Sequence, residues 1–296
     1  MHSTDRTDIY TRITNEIVAA IEAGAGEWRM PWHHDGSAVT KPINAVSRKP
    51  YRGSNILSLW IAAHACGYAS GLWASYRQWQ SLGAQVRKGE HATTIVFWKI
   101  NDRRGEGDDD DGTHGRARMF ARGYSIFNEA QVDGYVAPTV AVLSEHERIS
   151  NAEAFYANLG IETIHGGGEA CYIPSRDRVH MPLFGHFEDA TSYYGTLLHE
   201  GLHATGAPHR CNRDLEGRFG SDRYAMEEIT VELGAAQLLA DLGIAHQPRP
   251  DHAAYIASWL KVLKADPRAI FTVASKAQAG VDWMLAQQPT EIAFAA

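Results

Sequence analysis

The stretch Tyr193–Gly206, YYGTLLHEGLHATG, contains His199, Glu200 and His203 in the pattern H-E-x-x-H. Residues four apart on a helix project from one side, since a turn takes about 3.6 residues. His199 and His203 can therefore share one metal ion. Zinc accepts imidazole nitrogen and carboxylate oxygen, and a catalytic zinc site keeps three protein ligands plus an open position for water. Glu200, beside the first histidine, is placed to take a proton from that water and pass it to a leaving group. The chemistry expected is metal-assisted peptide hydrolysis. The competing expectation is a surface helix with two solvated histidines in a chain that has 15 of them. Against it stand the apolar neighbours Leu197, Leu198 and Leu202, Gly206 at a helix end, and acids downstream.

Those acids lie in SDRYAMEEITVELGAAQLLADLG, residues 221–243, which reads as a long helix with Glu228 and Glu232 four apart. In the glutamate-zincin arrangement the third ligand comes from a following helix, and an acid one turn later contacts the first histidine. Glu228 is assigned as ligand and Glu232 as the support behind His199. An exchange of these two roles stays open, and the adjacent Glu227 is expected to point elsewhere. His209 and Cys211 are rival ligands. HEGLHATGAPH also fits the longer metzincin spacing through His209, but that pattern needs a Met-containing turn. Met226 lies within the regular helix instead, so His209 is the runner-up. Tyr224 is a candidate to stabilise an oxyanion, and equally to pack at the helix start. RDRVHMP, upstream, would suit an edge strand that pairs with an extended substrate, with His180 structural. One Zn2+ is expected, with Mn2+ or another divalent ion as the alternative.

Periodicity indicates the elements that must position these residues. Ile9, Ile13, Ile17, Ala20 and Ile21 mark a helix over 8–22, stopped by Gly24 and Gly26. An aromatic, proline-broken loop, EWRMPWH, follows at 27–33. SNILSLWIAAHACGY is an apolar helix, capped by Ser54 or Asn55 and ending near Gly67. TIVFWKI at 94–100 and ARMFARGYSIFN at 117–128 form a hairpin around the charged, Gly-rich loop 101–116. A linker lies around 129–147. NAEAFYANLG is then a helix closed by Gly160, and 169–182 holds two short strands around Pro174–Asp177. Two amphipathic helices end the sequence, one facing inward through Ile256, Trp259, Leu260 and Leu263, the other through Ile270, Val273, Ala277, Val281 and Met284. The expected fold class is α+β with two domains, 1–135 and 145–296.

The formal net charge of -7 conceals a split between these halves. Residues 41–100 carry eight Lys/Arg against Glu90 alone, whereas 136–296 carry twelve basic and twenty acidic residues. Cations hold phosphates and exposed rings stack on bases, so this basic, aromatic segment suits single-stranded nucleic acid. Arg48, Lys49, Tyr51, Arg52, Trp73, Arg87 and Lys88 stand in polar, Gly-rich surroundings and are the expected contacts; Trp60, on the apolar helix, is expected in the core. The plainer alternative makes the aromatics core and the cations a solvated face. No run approaches the roughly 18 apolar residues needed to span a bilayer. The start, MHSTDRTD, lacks the apolar core of a secretory signal. Cys66, Cys171 and Cys211 are widely spaced and suit reduced thiols. A cytoplasmic protein with no membrane partner is expected.

The chain resembles the ArdC-type antirestriction proteins of conjugative plasmids and other mobile elements over nearly its whole length. At the front the resemblance rests on DIYTRITNEIVAAIEAGAGEWRMPW, PINAVSRKPYRGSNILSLW, YRQWQSLGAQVRKGEHATTIVFW and YSIFNEAQVDG. At the back it rests on SRDRVHMP, YYGTLLHEGLHATG and NRDLEGRFGSDRYAMEEITVELGAA. It implies an N-terminal domain that binds single-stranded DNA and a zincin-like metallopeptidase domain. It also implies ligands His199, His203 and Glu228, catalytic Glu200, and protection of incoming DNA from host restriction; a host protein or peptide is the candidate substrate partner beside single-stranded DNA. The alternative is a non-enzymatic DNA-binding protector whose metal is structural. One departure is Gly201, where the family more often carries a branched residue.

Overall fold

The computed structural model describes residues 8–24, 41–101, 118–137, 143–216, 221–245 and 252–289. The aromatic loop 27–33, the charged loop at 102–116 and the middle of the linker at 138–142 lie outside the described residues. Helix α1 (Ile9–Gly24) buries Ile13, Ile17 and Ile21, the residues whose spacing predicts it. Strand β1 (Ile43–Asn44) leads to α2 (Ser54–Cys66). The cap expected of Ser54 or Asn55 is absent: Gly53, at φ 58°, precedes the helix without a side-chain cap. Asn55 is instead turned inward. Its amide donates to Val96 O and accepts from Val96 N, each at 2.8 Å, as a neighbouring strand would. Gly67, left-handed, ends the helix.

Then follow β2 (Leu72–Ala74), α3 (Tyr76–Ser81), β3 (Gln85–Val86), the hairpin β4 (Thr93–Asn101) and β5 (Arg118–Asn128), and β6 (Val132–Asp133). The hairpin extends through β2 into a sheet ordered β1-β2-β5-β4, while β3 and β6 pair separately.

The second half begins with α4 (Glu145–Ala157), started by a capping box of Ser144 and Glu147. Strands β7 (Glu162–His165), β8 (Cys171–Ile173) and β9 (Arg178–Met181) form a sheet ordered β7-β9-β8. RDRVHMP thus supplies the central strand, not the expected edge. Backbone bonds to β7 on one side and β8 on the other leave β9 nothing to offer a substrate. The edge beside the motif helix is β8. Four helices complete the chain: α5 (Ala190–Ala204), α6 (Asp222–Leu242), α7 (His252–Ala265) and α8 (Ala269–Ala286).

The halves share a core. Ile17 of α1, Trp60 of α2 and Trp73 of β2 pack in one cluster with Ile229 of α6, Trp259 of α7 and Ile270 of α8. A second cluster joins Phe155 of α4, Leu198 of α5, Leu238 of α6 and Met284 of α8. Two glycines let helices approach closely around the motif. A Cβ on Gly234 would lie 2.9 Å from Leu202 Cδ1, so α6 touches α5 there. A Cβ on Gly201 would lie 2.8 Å from Tyr156 Cε2 and 3.2 Å from Met284 Cε. The glycine of HEGLH is therefore matched to a tyrosine ring from α4.

Candidate metal centre and basic face

Asp189 caps α5 by accepting from Ser192 N at 2.7 Å, and Ser221 caps α6 by accepting from Tyr224 N at 3.2 Å. These caps fix the register in which the helices face each other. His199 and His203, one turn apart, meet Glu228 across the interface. Glu228 Oε2 lies 3.5 Å from His199 Nε2, and its Oε1 lies 3.5 Å from His203 Nε2. One donor atom from each of the three lies within 4.8 Å of the others. Two imidazoles and a carboxylate converging on a pocket of about 320 Å³ fit a divalent ion that takes nitrogen and oxygen ligands. His209 and Cys211 do not join them: His209 Nε2 sits 3.4 Å from Asp177, and Cys211 Sγ 3.6 Å from Ala279 O. Arg210, between them, forks onto Asp177 at 2.6 and 3.0 Å and holds this turn away from the pocket.

Each histidine is backed by a further acid. His199 Nδ1 faces Glu232 Oε2 at 3.6 Å. His203 Nδ1 faces Glu227 Oε1 at 3.4 Å, which corrects the expectation that Glu227 points elsewhere. Consecutive helical residues diverge by about 100°, so Glu228 reaches between the histidines while Glu227 reaches the outer flank of His203. Arg213 grips Glu227 from behind, Nε to Oε2 at 3.0 Å and Nη2 to Oε1 at 2.8 Å. Its remaining donors reach Thr205 Oγ1 and Leu202 O, each at 2.6 Å, at the end of α5. Arg213 has no place in the H-E-x-x-H pattern. The signal for it is the adjacent pair Glu227 and Glu228, which calls for a cation once both are buried.

Burial would lower the pKa of His203, but hydrogen bonds to Glu227 and Glu228 outweigh it and push it up to about 10. Burial would raise both acids. Against that, His203 and Arg213 hold Glu227 low, and His199 with His203 hold Glu228 well below the usual carboxylate range. Both carboxylates are therefore ionised. Glu200, 4% exposed, accepts Tyr172 N at 3.0 Å. Tyr172 is the middle residue of β8, so the strand edge and the motif glutamate meet in the pocket. Tyr224, in the first turn of α6, lines the same pocket.

The expected nucleic-acid contacts divide. Arg48, Lys49, Arg52, Arg87 and Lys88 are exposed. Trp73 and Tyr51 are not, at 0% and 7% exposure, and neither offers a ring for stacking. All three residues of β2 are buried, which places Trp73 in the shared core. The Tyr51 hydroxyl donates to Trp73 O at 3.3 Å and accepts from Asn44 Nδ2 at 3.1 Å. Among the cations, Arg87 pairs with Glu90 at 2.7 Å and Arg52 pairs with Asp282 of α8.

Residues 7–127 match the model of the N-terminal domain of anti-restriction factor ArdC, and 150–276 match that of a zincin-like metallopeptidase. The chain is 60% identical to protein y4eC of Sinorhizobium fredii (strain NBRC 101917 / NGR234), over 97% of this chain and 96% of that one. It is 34% identical to the DNA primase TraC of Escherichia coli over 96% of its own length, but spans 27% of that primase. The crystal structure of antirestriction protein ArdC from plasmid R388, Mn(II)-bound, superposes with a TM-score of 0.77 at 33% identity, covering 96% of this chain and all of that one. The metal-free form gives 0.77 at 35% identity, covering 95% and 98%. Among the described residues, no helix is long and apolar enough to cross a membrane.

Proposed function

The chain belongs to the ArdC antirestriction family, and from that premise we propose that it binds single-stranded DNA and hydrolyses a peptide bond at a zinc centre, so protecting incoming DNA from host restriction. The observation that carries the peptidase reading is the convergence of His199, His203 and Glu228 in a pocket that Glu200 also lines. The three are the residues that would hold the ion. When bound, a divalent ion supplies Lewis-acid polarisation of a carbonyl and lowers the pKa of water. Glu200 takes the proton of the attacking water and returns it to the departing nitrogen. Tyr224, which lines the pocket, would donate its hydroxyl to the carbonyl oxygen as it gains charge. Strand β8 is the edge along which an extended peptide would run, with the Tyr172 N–H given to Glu200. Glu227 and Glu232 fix the orientation of the two imidazoles.

The test is Glu200→Ala, assayed with a peptide library and in a restriction-protection assay during DNA transfer. The expected result is retained metal, lost hydrolysis and lost protection. Full hydrolysis by the variant would sink the mechanism. Intact protection, with His199→Ala merely lowering thermal stability, would make the metal structural and leave DNA binding as the function. The exposed cations of the N-terminal half support that binding: Lys88→Ala should weaken it and flatten its salt dependence.

A further inference from the structure

A second cavity, about 1270 Å³, opens where the N-terminal half meets α8, and nothing in the peptidase chemistry uses it. Its volume exceeds the roughly 300–1,000 Å³ usual for a small-molecule site. One wall is the loop around Lys49 and Arg52, with Phe97 of β4. The other comes from the metallopeptidase half: Arg268, Phe271 and Lys276. Four cations thus face a single lining acid, Asp282. One ring stands open to a flat partner, and two others pack with a cation behind it. Phe97 is 49% exposed and touches Tyr124 edge-on at 5.3 Å. Phe271 lies edge-on to Tyr10 at 5.0 Å, and Arg268 stands 5.3 Å over the Tyr10 ring.

The two walls are tied together. Gly53 N donates to Gln278 Oε1 at 3.0 Å, and Gln278 in turn donates to Asp282 Oδ1 at 3.0 Å. Asp282 also holds Arg52. Its carboxylate stands where a phosphate would stand, on a guanidinium at the mouth of a basic groove. That pair is exposed on both sides, 59% and 41%, so solvent screens it and a polyanion can displace it.

We propose that single-stranded DNA lies in this groove, gripped by α8 of the metallopeptidase half as well as by the N-terminal half, with Asp282 as an internal phosphate mimic. The proposal rests on the reading of the chain as a single-strand binder. Cations around the exposed Phe97 ring select strands whose bases are free to stack, which a duplex does not offer. Each cation that contacts a phosphate adds about 0.7 to the slope of log affinity against log salt for a single strand.

The test is fluorescence anisotropy of a labelled oligothymidylate on the full chain across a salt series, with metal content and melting temperature checked for each variant. Arg268→Ala with Lys276→Ala should weaken binding about tenfold or more and cut the slope by about 1.4. Phe97→Ala should weaken it about tenfold without changing the slope. Asp282→Asn should tighten it, a sign that a merely structural role for α8 would not produce. Unchanged affinity in the Arg268/Lys276 variant, while Lys88→Ala still weakens binding, overturns the groove and leaves the N-terminal reading standing. No binding by the unaltered chain overturns both. Equal displacement of the oligonucleotide by a duplex or by polyglutamate overturns the single-strand assignment.

Discussion

The metal centre between α5 and α6 and the basic groove beside α8 treat charge in opposite ways. At the centre, His199, Glu227, Glu228 and Glu232 are each less than a tenth exposed, and every charge is answered by another residue at fixed distance. In the groove, Lys49, Arg268 and Lys276 stand in solvent and the Arg52–Asp282 pair is open to it. Enclosed charges must be partnered, so each removal is costly and the group acts as a unit. Exposed charges are screened, so each contributes little and several act additively.

The largest effect should be at the ligands. His199→Ala is expected to lose the ion that wild type binds at about one per chain, read by metal analysis after purification without added metal; an undiminished metal content would break the contrast at its strongest point. Next comes the buried support. Arg213→Ala leaves buried Glu227 with His203 alone and should cost about 3 kcal/mol in urea unfolding. It should also weaken metal binding about 10- to 100-fold, through His203. A cost near zero would show the pocket to be as forgiving as the surface. Trp73→Ala should cost a similar 3–5 kcal/mol, because the ring is core. Loss of DNA affinity in that variant without loss of stability would return Trp73 to the surface role its sequence context implies.

The smallest effect concerns pH. Burial would raise Asp177, but hydrogen bonds from Arg210 and Tyr172, aided by nearby His209, hold its carboxyl below the usual 3.8. A carboxyl lower in the folded state stabilises fully above its unfolded value and loses that contribution as pH falls through the folded one. Asp177 is 37% exposed, so screening keeps the contribution at about 1 kcal/mol or less. The melting difference between wild type and Asp177→Asn should be present at pH 7 and shrink below pH 4. A difference that grows in acid would put the sign wrong.

What could be read in advance follows the same contrast. H-E-x-x-H and the Glu228–Glu232 pair are legible because a helix converts spacing into direction with no knowledge of the rest of the chain. The helices themselves are legible for the same reason, as Ile13, Ile17 and Ile21 show. The pairing of Arg213 with Glu227 is poorly legible because it crosses a loop and no periodicity encodes it. Trp73 misled because a three-residue strand carries no alternation, so its polar flanks spoke louder than the sheet that covers it. RDRVHMP was rightly a strand, but edge or centre depends on β7 arriving from elsewhere. The groove needed both halves folded, since Arg268 and Lys49 are far apart in sequence.

Gly201 carries a consequence for descent. Tyr156 and Met284 already fill the space that a side chain at 201 would enter. Gly201→Ala should cost about 1–3 kcal/mol by overpacking, despite alanine's better helix propensity. A smaller residue at 156 should recover most of it. A branched residue at 201 would therefore be accommodated by a smaller partner on α4 or α8. Positions 156, 201 and 284 are thus coupled through one shared volume, and relatives should show the three varying together.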